Sequence, residues 1–458
     1  MKTSAKAVTL LKPETMPFPF VNYYFKFPCS LLVIFAISLF FSPVQAQRLI
    51  KDYVIKNTVT LKTISPDSTD DADLKPIGDA IGNAKIVMLG EQDHGDAPTF
   101  LAKTRLVKYL HEKKGFNVLA FESDFFALNY GWDRTSKKSP VIDSFILKNI
   151  FSVWTTCDAC SSLLFKYIPA TYTTSSPLII TGFDSQQYLN FSYYNMPRLL
   201  DSTIVAMQLP ITHELNYRSE ILPAIDSVKR WSVFHPRDTV GIEKSIGYLH
   251  IIRDQLAARV PVNNFWLYVM DNEIGLATEI IETVKVGGID DKGRDARMAA
   301  NLEWLVNNKF KDQKIIVWAA DVHIARNIKI SRYYPQMSET MGGKFMESIT
   351  NPNEIYTIGF TSYEGMAGRV GSPGYAIKNK IRNSFETWFT AKQPYAFVDF
   401  KIFNKLNSEY NEKFYASPIS HFVGEDQWNQ VFDGLFFIRD MYRCIPTRSM
   451  KILSFFGP

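Results

Sequence analysis

Apolar residues in this chain fall into two patterns. Unbroken runs bounded by glycine, proline or polar residues occur at Ile86–Leu89, Val118–Phe121, Leu178–Ile180 and Lys314–Trp318, the form taken by strands buried on both faces. Ile355–Phe360, Ala396–Phe400 and Phe432–Ile438 read as later strands. Between the runs, apolar positions recur at helical spacing: Leu106, Tyr109 and Leu110 within Lys103–Lys114, and Met298, Leu302 and Leu305, with Asn301 at the same spacing, within Asp295–Asn308. Leu74–Ile81, Phe125–Trp132, Val141–Lys148 and Trp154–Tyr167 are further helices by this pattern. Alternating strand and helix predicts an α/β fold, with a mostly parallel central sheet flanked by helices. No short buried run interrupts residues 188–293, where Met196–Met207, Thr212–Trp231, Glu243–Arg259 and Phe265–Val284 are helix-length and amphipathic. This segment predicts a helical lobe inserted over the strand ends. Gln47–Thr69 reads as an opening strand that leads through a polar turn to a helix capped by Asp70 or Asp71.

Residues just past the strand ends carry the chemistry. Ile86–Leu89 gives way to Gly90, Glu91 and His94; the second run ends in Glu122, the third in Gly182-Phe183-Asp184, and the fourth leads to Asp321 and His323. Buried parallel strands deliver such groups to the carboxyl edge of the sheet, where open α/β folds bind ligands. A histidine there can take a proton from water, and a neighbouring carboxylate can hold its tautomer. Hydrolysis is the economical reaction. Gly-x-Ser-x-Gly, Gly-x-Gly-x-x-Gly and the P-loop pattern are all absent. Structural roles compete at every position: His94 or Asp184 could cap a helix, Glu122 could pair with Lys103 or Arg105, and Arg294 and Arg297 could be solvated. His111, His213, His235, His250 and His421 lack acidic partners at the right spacing and read as surface or core residues.

Composition adds boundaries. The 458 residues are 46% apolar, enough for a large core, and 51 basic against 46 acidic residues leave +5, with no basic run interleaved with aromatics. Nucleic acid is therefore not the expected partner. Residues 31–41, LLVIFAISLFF, precede Pro43 and the small-residue site Val44-Gln45-Ala46, the form of a secretory signal over residues 1–46, with Met16 an alternative start. Cys29 lies ahead of the apolar stretch, so no lipid-attachment cysteine is evident. The mature domain, 47–458, is expected outside the cytoplasm, periplasmic or extracellular, with no membrane span once the signal is cut. Cys157, Cys160 and Cys444 then remain; a local Cys157–Cys160 disulfide or two buried thiols fit an oxidising compartment.

Taken as an ordered set, several motifs carry a resemblance. Gly90-Glu91-x-x-His94-Gly95, a Lys or Arg further along the next helix, Gly115-Phe116 with a strand ending in Glu122, Gly182-Phe183-Asp184, Arg294-Asp295-x-x-Met298-x-x-Asn301 and Trp318-Ala319-x-x-x-His323 resemble the erythromycin esterase family. Gly342-Gly343 and Tyr356-x-Ile358-Gly359-Phe360 fit it as well. The resemblance spans about Asp71 to Gly365 and implies an α/β sheet with a helical lobe. It also implies hydrolysis of an ester or lactone by a histidine-activated water, with His94 as base, Glu91 as its supporting acid, Lys103 or Arg105 as the family's basic residue, and Glu122 and His323 in the site. One departure stands out: Ala320 and Asp321 occupy the first histidine and the asparagine of the family's Trp-x-His-Asn-x-His. Hydrolysis of macrolides does not carry over with the motif.

The sequence thus points to a small-molecule ester or lactone hydrolase in which His94 is the base, Glu91 orients it, Arg105 or Lys103 steadies the oxyanion, and Glu122 and His323 complete the site. Lys103, Asp184, Arg294 and Asp321 are expected to contact substrate. No cofactor is required by this reading. A metallohydrolase, with zinc or manganese held among Glu91, His94, Glu122, Asp321 and His323, is the first alternative, and a binding protein for haem or another ligand the second. Acylated envelope polysaccharide is a third direction that export would permit.

Overall fold

In the computed structural model, which describes residues 43–228, 239–286, 293–377 and 381–447, the apolar runs form the middle of one sheet. The strands are β1 (Val59–Leu61), β2 (Ile86–Leu89), β3 (Phe116–Asp124), β4 (Ile179–Asp184), β5 (Lys314–Trp318), β6 (Ile355–Ala367), β7 (Tyr375–Ala376), β8 (Tyr395–Asp399), β9 (Phe414–Ala416), β10 (Gly424–Asp426) and β11 (Gly434–Met441). Nine belong to the main sheet, in the order β1-β8-β11-β6-β2-β5-β3-β4 with β7 paired to β6, while β9 and β10 pair separately. From β11 to β4 every neighbouring pair is parallel; β8 and β1 form an antiparallel edge.

Alternation along β2 explains why it is apolar throughout. Ile86 and Met88 enter one core, and Val87 and Leu89 enter the other. The helix Ala97–Lys114, with Pro98 in its first turn and Gly115 closing it at φ 74°, contributes Phe100, Leu106 and Leu110 to the second core. Asn190–Ala206, Leu222–Val228, Thr239–Ala257 and Phe265–Val286 are helices between β4 and β5, and Leu200, Ile225, Leu249 and Met270 join the first core. Strand order carries the functional consequence. Because β5 lies between β2 and β3, the ends of β2, β5, β3 and β4 are consecutive along one rim, with Leu89 opposite Trp318, Trp318 opposite Phe121, and Phe121 opposite Gly182.

Local expectations differ from the structure in three places. The opening segment is a helix, Pro43–Asn57, followed by only three residues of β1; Ile50 and Val54, four apart, are buried on one side of it. Asp70 and Asp71 do not cap the helix Lys75–Ile81, whose N-cap position is Leu74; Asp70 accepts instead from Ala72 N at 3.0 Å and Lys62 Nζ at 2.8 Å. Trp154–Tyr167 is not one helix. It breaks after Ser152–Thr155 and resumes at Asp158–Ser162, because residues 156–158 are drawn against the chain's last described stretch. There Asp158 N donates to Ile445 O, Thr447 N to Thr156 O, and Cys157 is disulfide-bonded to Cys444 across 287 residues. The local Cys157–Cys160 pairing is therefore corrected, and Cys160 is a free, buried thiol.

The chain divides into two units, Met1–Ala46 and Gln47–Pro458. The apolar segment 31–41, Met16 and Cys29 lie outside the described residues. Among those described, no helix is long and apolar enough to cross a membrane.

Candidate functional site

Close backbone approach builds the first half of the site. A Cβ on Gly90 would stand 1.6 Å from Asp321 Oδ1, so only glycine lets β2 and the segment after β5 meet there. Asp321 N donates to Glu91 O at 2.8 Å. The chain then turns through Asp93–Asp96: Gly95 N reaches Asp93 O at 2.8 Å, His94 N reaches Asp93 Oδ1 at 2.7 Å, and Asp93 N reaches Asp96 Oδ2 at 3.0 Å. A Cβ on Gly95 would stand 2.1 Å from Gly368 O.

Glu91 is fully buried and accepts from three directions. His94 Nδ1 lies 3.0 Å and Trp154 Nε1 2.9 Å from Oε1, and Lys103 Nζ contacts Oε2. Lys103 is itself fully buried, 4.1 Å above the Trp318 ring and 3.3 Å from Ala319 O. Burial drives its pKa down, and the Glu91 charge opposes that shift. Three donors converging on one carboxyl make the environment of a carboxylate. Bonding to Glu91 places the proton of a neutral His94 on Nδ1 and leaves Nε2 with its lone pair. Trp154 also meets the His94 ring edge-on, with centroids 5.5 Å apart.

The second half is a chain of alternating charges. Asp184 accepts from Arg294 Nε at 3.1 Å and from Nη2; Arg294 Nη2 also lies 3.2 Å from Glu122 Oε1. His323 Nε2 is 3.2 Å from the same Glu122 oxygen, and its Nδ1 is 3.0 Å from both oxygens of Asp295. Asp295 is further held by Met341 N at 2.7 Å, and the second oxygen of Glu122 by Ala320 N at 2.9 Å. Burial opposes charge on His323, but Asp295 and Glu122 outweigh it and push its pKa up to about 10. Burial likewise resists ionisation of Glu122, and the charge and hydrogen bond of His323, helped by Arg294, overcome it, holding the carboxyl well below the usual range. Exposure singles out the accessible groups: the side chains of His94 and Arg294 are 14% and 12% exposed, whereas Glu91, Lys103 and Asp184 are at 0%.

Several sequence expectations change here. Arg105 is not in the group: its guanidinium donates to Asp73 Oδ1 at 2.7 Å, Thr63 O at 2.6 Å and Asp70 O at 2.6 Å, a clamp on the segment before the helix Lys75–Ile81. Glu122 pairs with neither Lys103 nor Arg105. Asp321 is fully buried and takes Phe360 N at 3.0 and 3.2 Å, and burial pushes its carboxyl well above the usual range. Lys103 and Asp184 are fully buried, paired with Glu91 and Arg294. Glu91, His94, Glu122, Asp321 and His323 do not share a metal-binding point; among the described residues, the group of three ligand atoms within 4.8 Å is Cys157, Asp158 and Cys444, two of them joined in the disulfide. Asp295 was quoted from sequence only as part of a motif, without a role, and Trp154 was not singled out. Asp295 had a signal, its place beside Arg294 at a helix start; Trp154 had none. His421 has an acidic partner after all, Asp96 Oδ2 at 2.9 Å from its Nε2.

Comparison with known proteins bears on the fold and the family. A family model described as erythromycin esterase matches residues 276–441. The chain is 26% identical over 349 residues to a Bacillus subtilis protein named "Putative hydrolase YbfO", covering 72% of this chain and 77% of that one. A Bacillus cereus protein of known structure superposes with TM-score 0.67 at 20% identity, over 89% of this chain and 100% of that one. A histidine-to-asparagine mutant of the erythromycin esterase EreC in its open conformation superposes with TM-score 0.61 at 18% identity, over 85% and 99% of the two chains.

Proposed function

We propose that this chain, whose residues 276–441 match the erythromycin esterase family model and whose α/β fold is similar to that of an erythromycin esterase, is an esterase-class hydrolase that cleaves a carboxylic ester or lactone with a water activated by His94. The observation that carries the reading is the Glu91–His94 pair: Nδ1 held at 3.0 Å by a carboxylate, on a ring that is still 14% exposed. Nε2 takes a proton from water as the water oxygen bonds to the carbonyl carbon. The resulting imidazolium is supported by Glu91, and when the carbon–oxygen bond to the alcohol breaks it returns the proton to the departing alkoxide. Arg294, the accessible cation of the charge chain, faces the developing oxyanion in place of Lys103 or Arg105. His323 is already an imidazolium at neutral pH by its partners, so it supplies charge and not a base. Lys103 and Trp154 act by fixing Glu91. None of these steps calls on a metal. Export follows from the same reading, since the buried Cys157–Cys444 disulfide suits an oxidising compartment.

The test is turnover of a panel of aryl esters and lactones by purified protein. Replacing His94 by alanine should lower kcat by about 100- to 10,000-fold, the range for loss of a general base, with the fold intact by circular dichroism. Equal rates in the two proteins would remove His94 from this role.

A further inference from the structure

Behind the turn that presents His94 lies a second histidine with a serine and an aspartate. Ser362 Oγ is 3.0 Å from His421 Nδ1, and His421 Nε2 is 2.9 Å from Asp96 Oδ2. Composition alone suggests a nucleophilic triad, but the geometry does not. Ser362 and Asp96 are at 0% exposure, so no substrate reaches the hydroxyl. The network instead runs toward the turn: the Asp96 oxygen that meets His421 also accepts Asp93 N at 3.0 Å, and Asp93 in turn takes His94 N at 2.7 Å.

We infer that His421 is a positioning residue for His94, acting through Asp96 and held in its tautomer by Ser362; the inference rests on the proposed role of His94 as base. Two further observations agree with it. Ser420 and His421 both sit in the left-handed region, at φ 49° and 61°, a conformation non-glycine residues keep only where surrounding contacts over-determine it. Tyr375 closes the same unit, donating to Asp93 Oδ2 at 2.8 Å with its ring 6.1 Å from that of His421. Asp96 is pushed up by burial and drawn back by His421, so the pair stabilises itself only while both members are present. A turn anchored at one end by Ser362 on β6 cannot drift, and the Nε2 of His94 keeps its approach to the carbonyl.

The experiment compares wild type with His421→Ala, His421→Gln and Ser362→Ala in aryl ester hydrolysis, with pH–rate profiles and thermal midpoints. His421→Ala should lower kcat by about 10- to 100-fold, the cost of a misplaced catalytic group, with KM within about twofold and the acid limb of the profile, where a general base gains its proton, displaced. Glutamine, whose amide can donate to Asp96 and accept from Ser362, should restore most of the rate. Ser362→Ala, which deletes a single oxygen, gives the same direction with a smaller loss and keeps the question answerable if His421→Ala does not fold. Full activity and an unchanged pH profile in the folded variants, while His94→Ala is inactive, would overturn the inference and leave the role of His94 standing. A wild type inactive toward every ester would instead remove the reading on which it rests.

Discussion

Replacing His323 by glutamine removes the cation between Glu122 and Asp295 while keeping a side chain able to hydrogen-bond. His323 has a folded pKa of about 10, against about 6.5 for a free imidazole. A group whose pKa is raised on folding stabilises the protein fully below its unfolded pKa and loses that contribution as pH climbs through the folded one. The proton linkage is worth about 4 kcal/mol near neutral pH and falls below about 1 kcal/mol at pH of about 10, as an order of magnitude. Alkaline pH titrates lysines and tyrosines as well, so the informative quantity is the difference between wild type and variant. Urea denaturation of both proteins, repeated from about pH 6 to about pH 10, should give a gap that is widest at the acid end and closes toward the alkaline end. A constant gap, or one that widens with rising pH, would refute the assignment of a buried imidazolium and the charge chain built on it.

The same contacts make two other perturbations informative. Lys103→Met leaves the Glu91 carboxylate buried without its cation, so it should cost about 3–5 kcal/mol in denaturation experiments and lower kcat as well; a variant as stable and active as wild type would show that Lys103 does not support Glu91. Cys444→Ser opens a loop closed across 287 residues, and the chain-entropy expectation is a loss of up to about 5 kcal/mol, read as a lower urea midpoint. An unchanged midpoint would show that hydrogen bonding alone holds residues 156–158 to residues 445–447.

How much of the fold and site was legible in the sequence depended on how locally each feature is encoded. The buried runs ending in Glu91, Glu122, Asp184 and Asp321 could be read because a strand covered on both faces has no room for polar residues until its rim. Which of those acids do chemistry could not be read. Asp321 turns to Phe360 N, a partner set by the register between β5 and β6 relative to β2, and Arg105 and Lys103, two residues apart on one helix, go to opposite partners because successive helical positions do not face the same side. Trp154, Asp295 and the Asp96–His421 pair depend on contacts across tens to hundreds of residues. The Cys157–Cys444 bond illustrates the same limit: the near cysteine at Cys160 was the natural partner by spacing, and the fold brought a distant one instead. The opening helix was missed because β-branched residues at Val54 and Ile55 favour a strand locally, while burial of Ile50 and Val54 on one side decides for the helix.

Intact-protein mass during turnover tests the central mechanism most directly. If His94 delivers water straight to the carbonyl, protein quenched in the steady state with an excess of a slowly hydrolysed aryl ester keeps the mass of the free chain, because no side chain is ever acylated. A population heavier by the acyl group, and chased away when the ester is exhausted, would mean that the chain supplies the nucleophile itself and would contradict the account.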